Sequence, residues 1–373
     1  MPGKRVRVPL YWLVFLPAAL YQCLAILSAL LHLRKPIVAA QQQQPVSVLK
    51  PLRGLDPNTY RAFVSQIRQD YPAFEVLFGA EREGDPAAHE VRRLQREFPD
   101  APIRLIIGSG RALNGKVGVL EELARHARYP IWVVNDSDIK VDRRYLSAVV
   151  APLSDPEIGV VTCLYRVKAH NLPAAWEALG IMTDFMPSTL VAQFLRVREF
   201  GLGSTLAFRA ADLQRAGGFT ALAAYLADDY QLAKRITSLG TRAVLPRYTV
   251  ETSLDGATWA GIWRHQLRWA RTIRLSKSAG HAGLPLTHAG LWTAIAAISG
   301  AWLPALILAA LRIGSAVLSG AFVLRSRLAA SFCVLAPFWD LYSFAVWIAS
   351  YTGRTVRWRD RVLTIGPGGR IIA

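Results

Sequence analysis

Acidic residues are the scarce class in this chain. Asp and Glu number 26 against 44 Lys and Arg, a formal charge of +18, so most carboxylates must be paired or have work to do. A balance this basic points to an anionic partner. Nucleic acid, an anionic membrane face and a phosphorylated small molecule all fit, and net charge does not choose among them. Cysteine is scarcer still. Cys23, Cys163 and Cys333 lie far apart and form no metal-ligand or redox spacing, so they read as buried thiols in a reducing setting. No GxGxxG or GxxxxGK[ST] run occurs, which removes support for a dinucleotide fingerprint or a P-loop.

Long stretches lack charge altogether. Val8 to Leu33 carries no Asp, Glu, Lys or Arg and follows Lys4, Arg5 and Arg7; it is long enough to cross a bilayer as a helix. Val38-Ala39-Ala40 resembles a signal-peptide cleavage site. The apolar run is far longer than the usual stretch of about 7 to 15 residues, however, and Arg34 with Lys35 intervenes, so residues 1–40 are expected to stay as an anchor. Gln41 to Gln44 with Pro45 reads as a short linker. Ser278 to Leu311 is also uncharged and Leu328 to Tyr351 contains only Asp340, which predicts two further spans within residues 281–353. Ile313 to Leu324, bordered by Arg312, Arg325 and Arg327, is too short for an ordinary span and is expected to be interfacial or re-entrant. Residues 354–373 form a basic tail carrying Arg354, Arg357, Arg359 and Arg361. With 52% hydrophobic residues, mean hydropathy +0.24 and 11 Trp, the chain reads as a membrane protein carrying a globular domain.

That domain is expected over residues 45–256. Apolar β-rich runs begin at Val46, Phe74, Ile103 and Ile131, about 28 residues apart. Helix-like segments near Asn58 to Gln69, Ala87 to Phe98 and Lys116 to Arg128 separate them. Strand and helix alternate as in a largely parallel, Rossmann-like α/β sheet, whose ligands bind beyond the carboxyl ends of the strands. The last run ends abruptly in Asn135-Asp136-Ser137-Asp138. Two carboxylates two residues apart at a strand end can hold a hard divalent cation and, through it, a diphosphate; they can equally be turn or cap residues ahead of a helix near Asp142.

Other acids sit at comparable places. Asp85 follows the second strand, and Asp228-Asp229 opens the helix-like run to Leu239. Each is a cap candidate, and two adjacent acids facing a cleft can also give one carboxylate a pKa suited to taking a proton. Between them, Gly201-Leu202-Gly203-Ser204 lets backbone approach a ligand closely. Residues 257–280 hold an amphipathic pattern: Trp259, Ile262, Trp263, Leu267, Ala270 and Ile273 share one helical face, and Arg264, Arg268 and Arg271 another. The pattern suits a membrane interface, a diphosphate-binding edge, or a helix packed on the sheet.

In order along the chain, Val48-Leu49-Lys50-Pro51-Leu52-Arg53-Gly54, Gly84-Asp85-Pro86-Ala87, Asn135-Asp136-Ser137-Asp138, Ala227-Asp228-Asp229-Tyr230 and His265-Gln266-Leu267-Arg268-Trp269 resemble the ceramide glucosyltransferase family, glycosyltransferase family 21. The resemblance is nearest to its bacterial branch associated with hopanoid biosynthesis and runs from Val46 to about Ile273. It implies a GT-A nucleotide-sugar-binding domain with N-terminal and C-terminal transmembrane helices. In that pattern Asp85 and Lys116 contact the nucleotide, Asp136 and Asp138 hold a divalent metal (magnesium or manganese) with the UDP diphosphate, and Asp229 is the general base. Arg268 and Trp269 resemble the end of the family's (Q/R)xxRW motif at the donor and acceptor cleft, and are expected to bind the donor. His265 stands where the family has Gln or Arg, and its role is left open. Asp228, Gly203 and Ser204 are secondary candidates for the same cleft.

The resemblance further implies an inverting transfer from a UDP-sugar to a membrane lipid alcohol. The expected pair is N-acetylglucosamine and a bacteriohopanetetrol-type hopanoid, with glucose and ceramide as the alternative. The tail's basic residues place the domain on the cytoplasmic side, as for a bacterial inner-membrane protein. A nonenzymatic lipid- or nucleotide-binding role is the rival of another class. Nucleic acid is not an expected partner, because the basic residues cluster beside Trp-rich apolar spans and no recognised nucleic-acid motif is present. Asp340, a carboxylate within a span, is left open between meeting the acceptor's head group, pairing with an arginine, and lying neutral or near the interface.

Overall fold

The computed structural model describes residues 10–37, 43–56, 58–108, 110, 112–254, 256–358 and 361–372. Lys4, Arg5, Arg7, Val38-Ala39-Ala40, Gln41, Gln42 and Arg359 lie outside the described residues. Helix α1 (Leu16–Arg34) precedes strands β1 (Val46–Leu52), β2 (Phe74–Ala80), β3 (Ile103–Ile107) and β4 (Ile131–Val134). Between these strands lie α2 (Thr59–Ile67), α3 (Pro86–Glu97) and α4 (Gly115–His126), as the repeat of apolar runs predicts. Every residue of β1 and β4 is buried. Helices cover both faces of a parallel sheet, so its central strands read as unbroken apolar runs instead of alternating ones.

After α5 (Tyr145–Val150) come β5 (Ile158–Thr162), β6 (Leu164–Lys168), α6 (Leu172–Gly180), α7 (Met186–Phe194), β7 (Leu206–Arg209), α8 (Ala210–Arg215), α9 (Asp228–Thr237), β8 (Arg242–Val244) and β9 (Thr249–Ser253). The main sheet has the order β3-β2-β1-β4-β7-β5-β8, and β7 runs antiparallel to both of its neighbours. Strands β6 and β9 form a separate parallel ribbon. One face of the sheet packs Val48, Phe63, Phe78 and Val133, the other Leu49, Leu77, Leu120 and Phe208. The sheet therefore delivers the ends of β1, β4 and β7 to one place.

Helix α10 (Trp259–Ser276) leaves this domain, capped by the Thr258 hydroxyl accepting from Gly261 N at 3.1 Å. It is followed by α11 (Ser278–Gly283), α12 (Ala289–Ile298), α13 (Trp302–Val317), α14 (Arg327–Phe332) and α15 (Ala336–Ser350). Among the described residues, three helical stretches are long and apolar enough to cross a membrane: Leu13–Arg34, Trp302–Val323 and Arg327–Ser350. The uncharged run from Ser278 to Leu311 is not one span. Gly300, at φ 73°, stops α12 after ten residues, about 15 Å of helix and half a bilayer. Ile313 to Leu324 is correspondingly not re-entrant, since it continues α13 through a π-helical turn (Leu318–Val323). The sequence pattern misplaced this boundary because Arg312 reads as a membrane edge, whereas Arg312 is buried in the bundle against Asp340. Cys23, expected buried, is exposed on α1, where a weakly polar thiol suits an apolar surround.

The C-terminal residues are not a free basic tail. Strands β10 (Thr355–Trp358), β11 (Arg361–Ile365) and β12 (Ile371–Ile372) form an antiparallel sheet whose Val356, Ile365 and Ile371 pack on Leu226. Ile371 N donates to Ala224 O at 2.7 Å and Leu226 N to Gly369 O at 3.3 Å. Arg271 and Arg274 of α10 donate to the carbonyls of Thr355 and Gly353. The chain thus returns to the globular domain after its last two apolar helices, as two crossings require.

Candidate active site

The end of β4 is built on a buried lysine. Lys50, fully buried on β1, donates to Asn135 Oδ1 at 2.8 Å and to the Asp136 carbonyl at 2.7 Å. Burial pulls its ammonium down, and Asp138 with Asp136 pulls it back up. Asn135 in turn donates to the Tyr145 hydroxyl at 3.2 Å, which lies 3.0 Å from Thr205 Oγ1. This fixed turn aims two acids outward. Asp138 accepts from the Thr252 hydroxyl. Asp136 pairs with Lys116 Nζ at 2.8 Å, and the same ammonium reaches Asp228 at 3.0 Å. Burial opposes charge on Lys116, yet Asp136, Asp228 and Asp229 hold it well above its ordinary range.

Gly203 joins this turn to α9. Its carbonyl accepts from Asp136 N at 3.1 Å, and its own N–H donates to Asp229 Oδ2 at 3.0 Å, while Tyr230 N donates to Asp229 Oδ1 at 2.7 Å. Burial and the neighbouring Asp228 push the Asp229 carboxyl up to about 6, against the pull of Lys116. A Cβ at Gly203 would lie 2.7 Å from Asp136 Oδ2, inside van der Waals contact. Gly203→Ala is therefore expected to displace Asp136, and any nucleotide binding that depends on a divalent cation at this turn should weaken by roughly tenfold, about 1.4 kcal/mol. Titration of UDP into the variant with and without Mn2+ measures this, and unchanged metal-dependent affinity would show that Asp136 does not need the space.

The acidic turn fits a cation. Burial and the charge of Asp136 push Asp138 above the usual carboxylate range, and a cation held by the two acids would offset that like charge. The missing Cβ at Gly203 keeps Asp136 Oδ2 accessible. Among the described residues no cluster of three His, Cys, Asp or Glu side chains forms a cage. The remaining positions of a hard cation would then fall to donor oxygens and water.

Four other predicted residues stand elsewhere in the cleft or beside it. Asp85 caps α3 through Ala87 N at 2.9 Å and also accepts from Gly54 N at 3.0 Å, holding the Arg53-Gly54 loop. Ser204 is buried and donates to the Cys163 carbonyl at 2.9 Å, a structural bond. Trp269 lies between His265 and Phe185, with ring centroids at 4.8 and 5.1 Å, and forms wall instead of a polar contact. The Arg268 guanidinium makes no hydrogen bond or ion pair among the described residues, although Glu177, Asp136 and Asp229 act on its charge; burial lowers its pKa. A guanidinium so placed is available to an anionic ligand.

Sequence reasoning did not find Glu177 or Arg361 of β11. Glu177, 2% exposed, accepts from His265 Nδ1 at 2.5 Å and Gln266 Nε2 at 2.8 Å. Arg361 pairs with Glu81 at 3.6 Å, and its guanidinium and that of Arg53 flank the start of α4, one residue before Lys116. A pocket of about 260 Å³ between α10 and the C-terminal sheet is lined by Arg264, Arg268, Arg271 and Arg357 with Leu267 and Val356. The C-terminal sheet thus flanks the arginine face of α10, where Arg264 stays exposed and Arg268 and Arg271 are half-buried, while Trp259 and Trp263 are exposed on the other face.

The family model described as Glycosyl transferase family 21 matches residues 10–371. Ceramide glucosyltransferase 1 of Caenorhabditis elegans is 29% identical over 229 residues, 61% of this chain and 49% of that protein. The ceramide glucosyltransferase of Komagataella phaffii is 30% identical over 126 residues, 32% of this chain and 25% of that protein. The chain spans about half the length, or less, of these curated relatives. Among solved structures, the mannosyltransferase PcManGT of Pyrobaculum calidifontis, in complex with GDP-Man and Mn2+, superposes with a TM-score of 0.56 at 22% identity. The match covers 91% of this chain and 98% of that one. The fold is a GT-A-like α/β fold with a mostly parallel sheet.

Proposed function

This chain belongs to glycosyl transferase family 21, and from that membership we propose a membrane-embedded, metal-dependent transferase that moves a sugar from UDP to a lipid alcohol with inversion. The observation that carries the reading is the double engagement of Gly203, which ties Asp136 and Asp229 to one residue. The acid that would hold the cation and the acid that would act as base are thereby anchored to the same residue.

In this mechanism Asp229 accepts the proton of the acceptor hydroxyl as its oxygen attacks the anomeric carbon opposite the leaving UDP. A carboxyl near pH 6 is ionised at neutral pH and still basic enough to share a proton in the transition state. Lys116 and Arg268 stabilise the charge that develops on the diphosphate. When bound, a divalent cation at Asp136 and Asp138 supplies further neutralisation of that charge. The metal assignment is supported by the crowded acids and by PcManGT, which was solved with Mn2+. A single displacement needs no covalent sugar intermediate, and the product is β-linked from an α-linked donor.

The specific pair proposed is N-acetylglucosamine and a bacteriohopanetetrol-type hopanoid, at a bacterial inner membrane with the domain facing the cytoplasm. A second reading, glucose onto ceramide, is favoured by the names of the relatives above. The test is UDP release by the purified chain with UDP-N-acetylglucosamine or UDP-glucose, each paired with bacteriohopanetetrol or ceramide, with and without Mg2+ or Mn2+. Metal-dependent release with one pair is the expected result. Folded protein that binds UDP yet transfers to neither lipid would favour the nonenzymatic binding role.

A further inference from the structure

The pocket between α10 and the C-terminal sheet is walled by four arginines and no acid: Arg264, Arg268 and Arg271 come from α10 and Arg357 from β10. Arg271 is engaged, donating to the Thr355 carbonyl and the Thr352 hydroxyl. The guanidiniums of Arg264 and Arg357, like that of Arg268, make no hydrogen bond or ion pair among the described residues. Like charges gathered round a cavity of about 260 Å³ repel one another until an anion enters.

The same ribbon has a second basic side. In β10–β11, Arg357 pairs with Val362, and Val362 lines the pocket. Successive side chains of a strand point to opposite faces, so Arg361 turns away from the pocket and toward the start of α4. There its Nη1 lies 3.9 Å from where a Cβ on Gly115 would stand, with Arg53 Nη1 at 3.8 Å. The ion pair of Arg361 with Glu81, at 3.6 Å, is longer than a hydrogen bond, which leaves its N–H groups to another acceptor. The placement is fastened from both sides. Asn114, the cap of α4, donates through Nδ2 to the Tyr225 carbonyl at 2.8 Å, and Leu226 N donates to the Gly369 carbonyl at 3.3 Å. Arg357 therefore shares a pocket with Arg268, and Arg361 stands beside the neighbour of Lys116. These are the two cations that the transfer reading gives to the diphosphate.

We propose that the returning ribbon β10–β11 is part of the donor site, with Arg357 and Arg361 binding the diphosphate of the nucleotide. The proposal rests on the transfer reading above. A guanidinium fork matches phosphate oxygens and needs no metal to hold them, so the two arginines act independently of any cation at Asp136 and Asp138. The phosphate of an anionic lipid head group offers the same chemistry, and the test separates the two sources.

The experiment titrates UDP into the full chain in phosphatidylcholine nanodiscs, in EDTA and in Mn2+, and repeats the titration with phosphatidylglycerol in the disc. It uses wild type, Arg357→Gln, Arg361→Gln and Arg370→Gln. Arg370, next to β12, donates through Nε to the Tyr225 hydroxyl at 3.0 Å and lies outside the pocket wall, so its variant reports loosened docking of the sheet alone. Arg357→Gln and Arg361→Gln are each expected to lose about tenfold in UDP affinity, in EDTA as in Mn2+, whereas Arg370→Gln stays near wild type. Unchanged UDP affinity in both pocket-side variants, or an equal loss in Arg370→Gln, would overturn the proposal and leave the transfer reading intact. Losses seen only in discs containing phosphatidylglycerol would assign the arginines to lipid and overturn it as well. Wild type that binds no UDP in either EDTA or Mn2+ would overturn both readings.

Discussion

Asp229→Asn is expected to lower transfer by about a thousandfold, within the span of about 10² to 10⁴ that a positioned general base contributes, while metal-dependent UDP affinity stays within about threefold of wild type. The substitution keeps side-chain size and removes the charge that would take the proton. Oδ1 and Oδ2 each accept a backbone N–H, from Tyr230 and Gly203 respectively. An amide can satisfy only one of the two, so some reorientation accompanies the loss of basicity. Asp136→Ala should behave in the opposite way and abolish metal-dependent donor binding itself. Single-turnover transfer together with UDP titration separates the two, and wild-type turnover by Asp229→Asn would remove the base assignment.

Under the proposed mechanism the same residue should set an acid limb in the rate profile. Burial and Asp228 raise the Asp229 carboxyl to about 6, and the protonated form cannot act as base. Log kcat/KM should therefore rise with pH through about 6 and level off above it. Asp228→Asn deletes the neighbouring like charge, so its limb should move to lower pH. A limb that ignores this change belongs to another group.

The sequence made the repeating architecture legible because burial on both faces demands continuous apolar strands, and their spacing of about 28 residues is long enough for one helix and two turns. It also singled out Asp136, Asp228 and Asp229, which the structure gathers around Lys116 and Gly203. Their partners were less accessible. Lys50 meets Asn135 across 85 residues of chain and His265 meets Glu177 across 88, and no local period records such pairings. Charge scanning failed at Arg312 for a related reason. It treats each charge as solvated, whereas a buried pair cancels the signal that a boundary would give.

That pair carries the largest stability effect expected in the molecule. Arg312 Nε donates to Asp340 Oδ1 and Oδ2 at 3.0 and 2.9 Å, Nη2 to Oδ1 at 2.8 Å, and Nη1 to the Thr183 carbonyl at 2.9 Å. Asp340 Oδ2 also accepts from Gly290 N at 2.8 Å. One cluster thereby fastens α13, α15, α12 and the π-helical turn at Ile181–Phe185. With Arg312 only 2% exposed, Asp340→Ala leaves a cation stranded in the bundle and should cost roughly 3–5 kcal/mol. Replacing both partners, as Arg312→Met with Asp340→Leu, should recover much of that loss, because the stranded charge goes and only the Thr183 and Gly290 backbone groups lose a partner. Unfolding in detergent reads both variants. A double variant no more stable than Asp340→Ala would mean that the bonds to Thr183 and Gly290 hold the bundle together. The same turn carries Phe185, which packs on Trp269. Loosening it should therefore reach the transfer site as well, and the double variant should recover activity only as far as its bundle regains the wild-type arrangement.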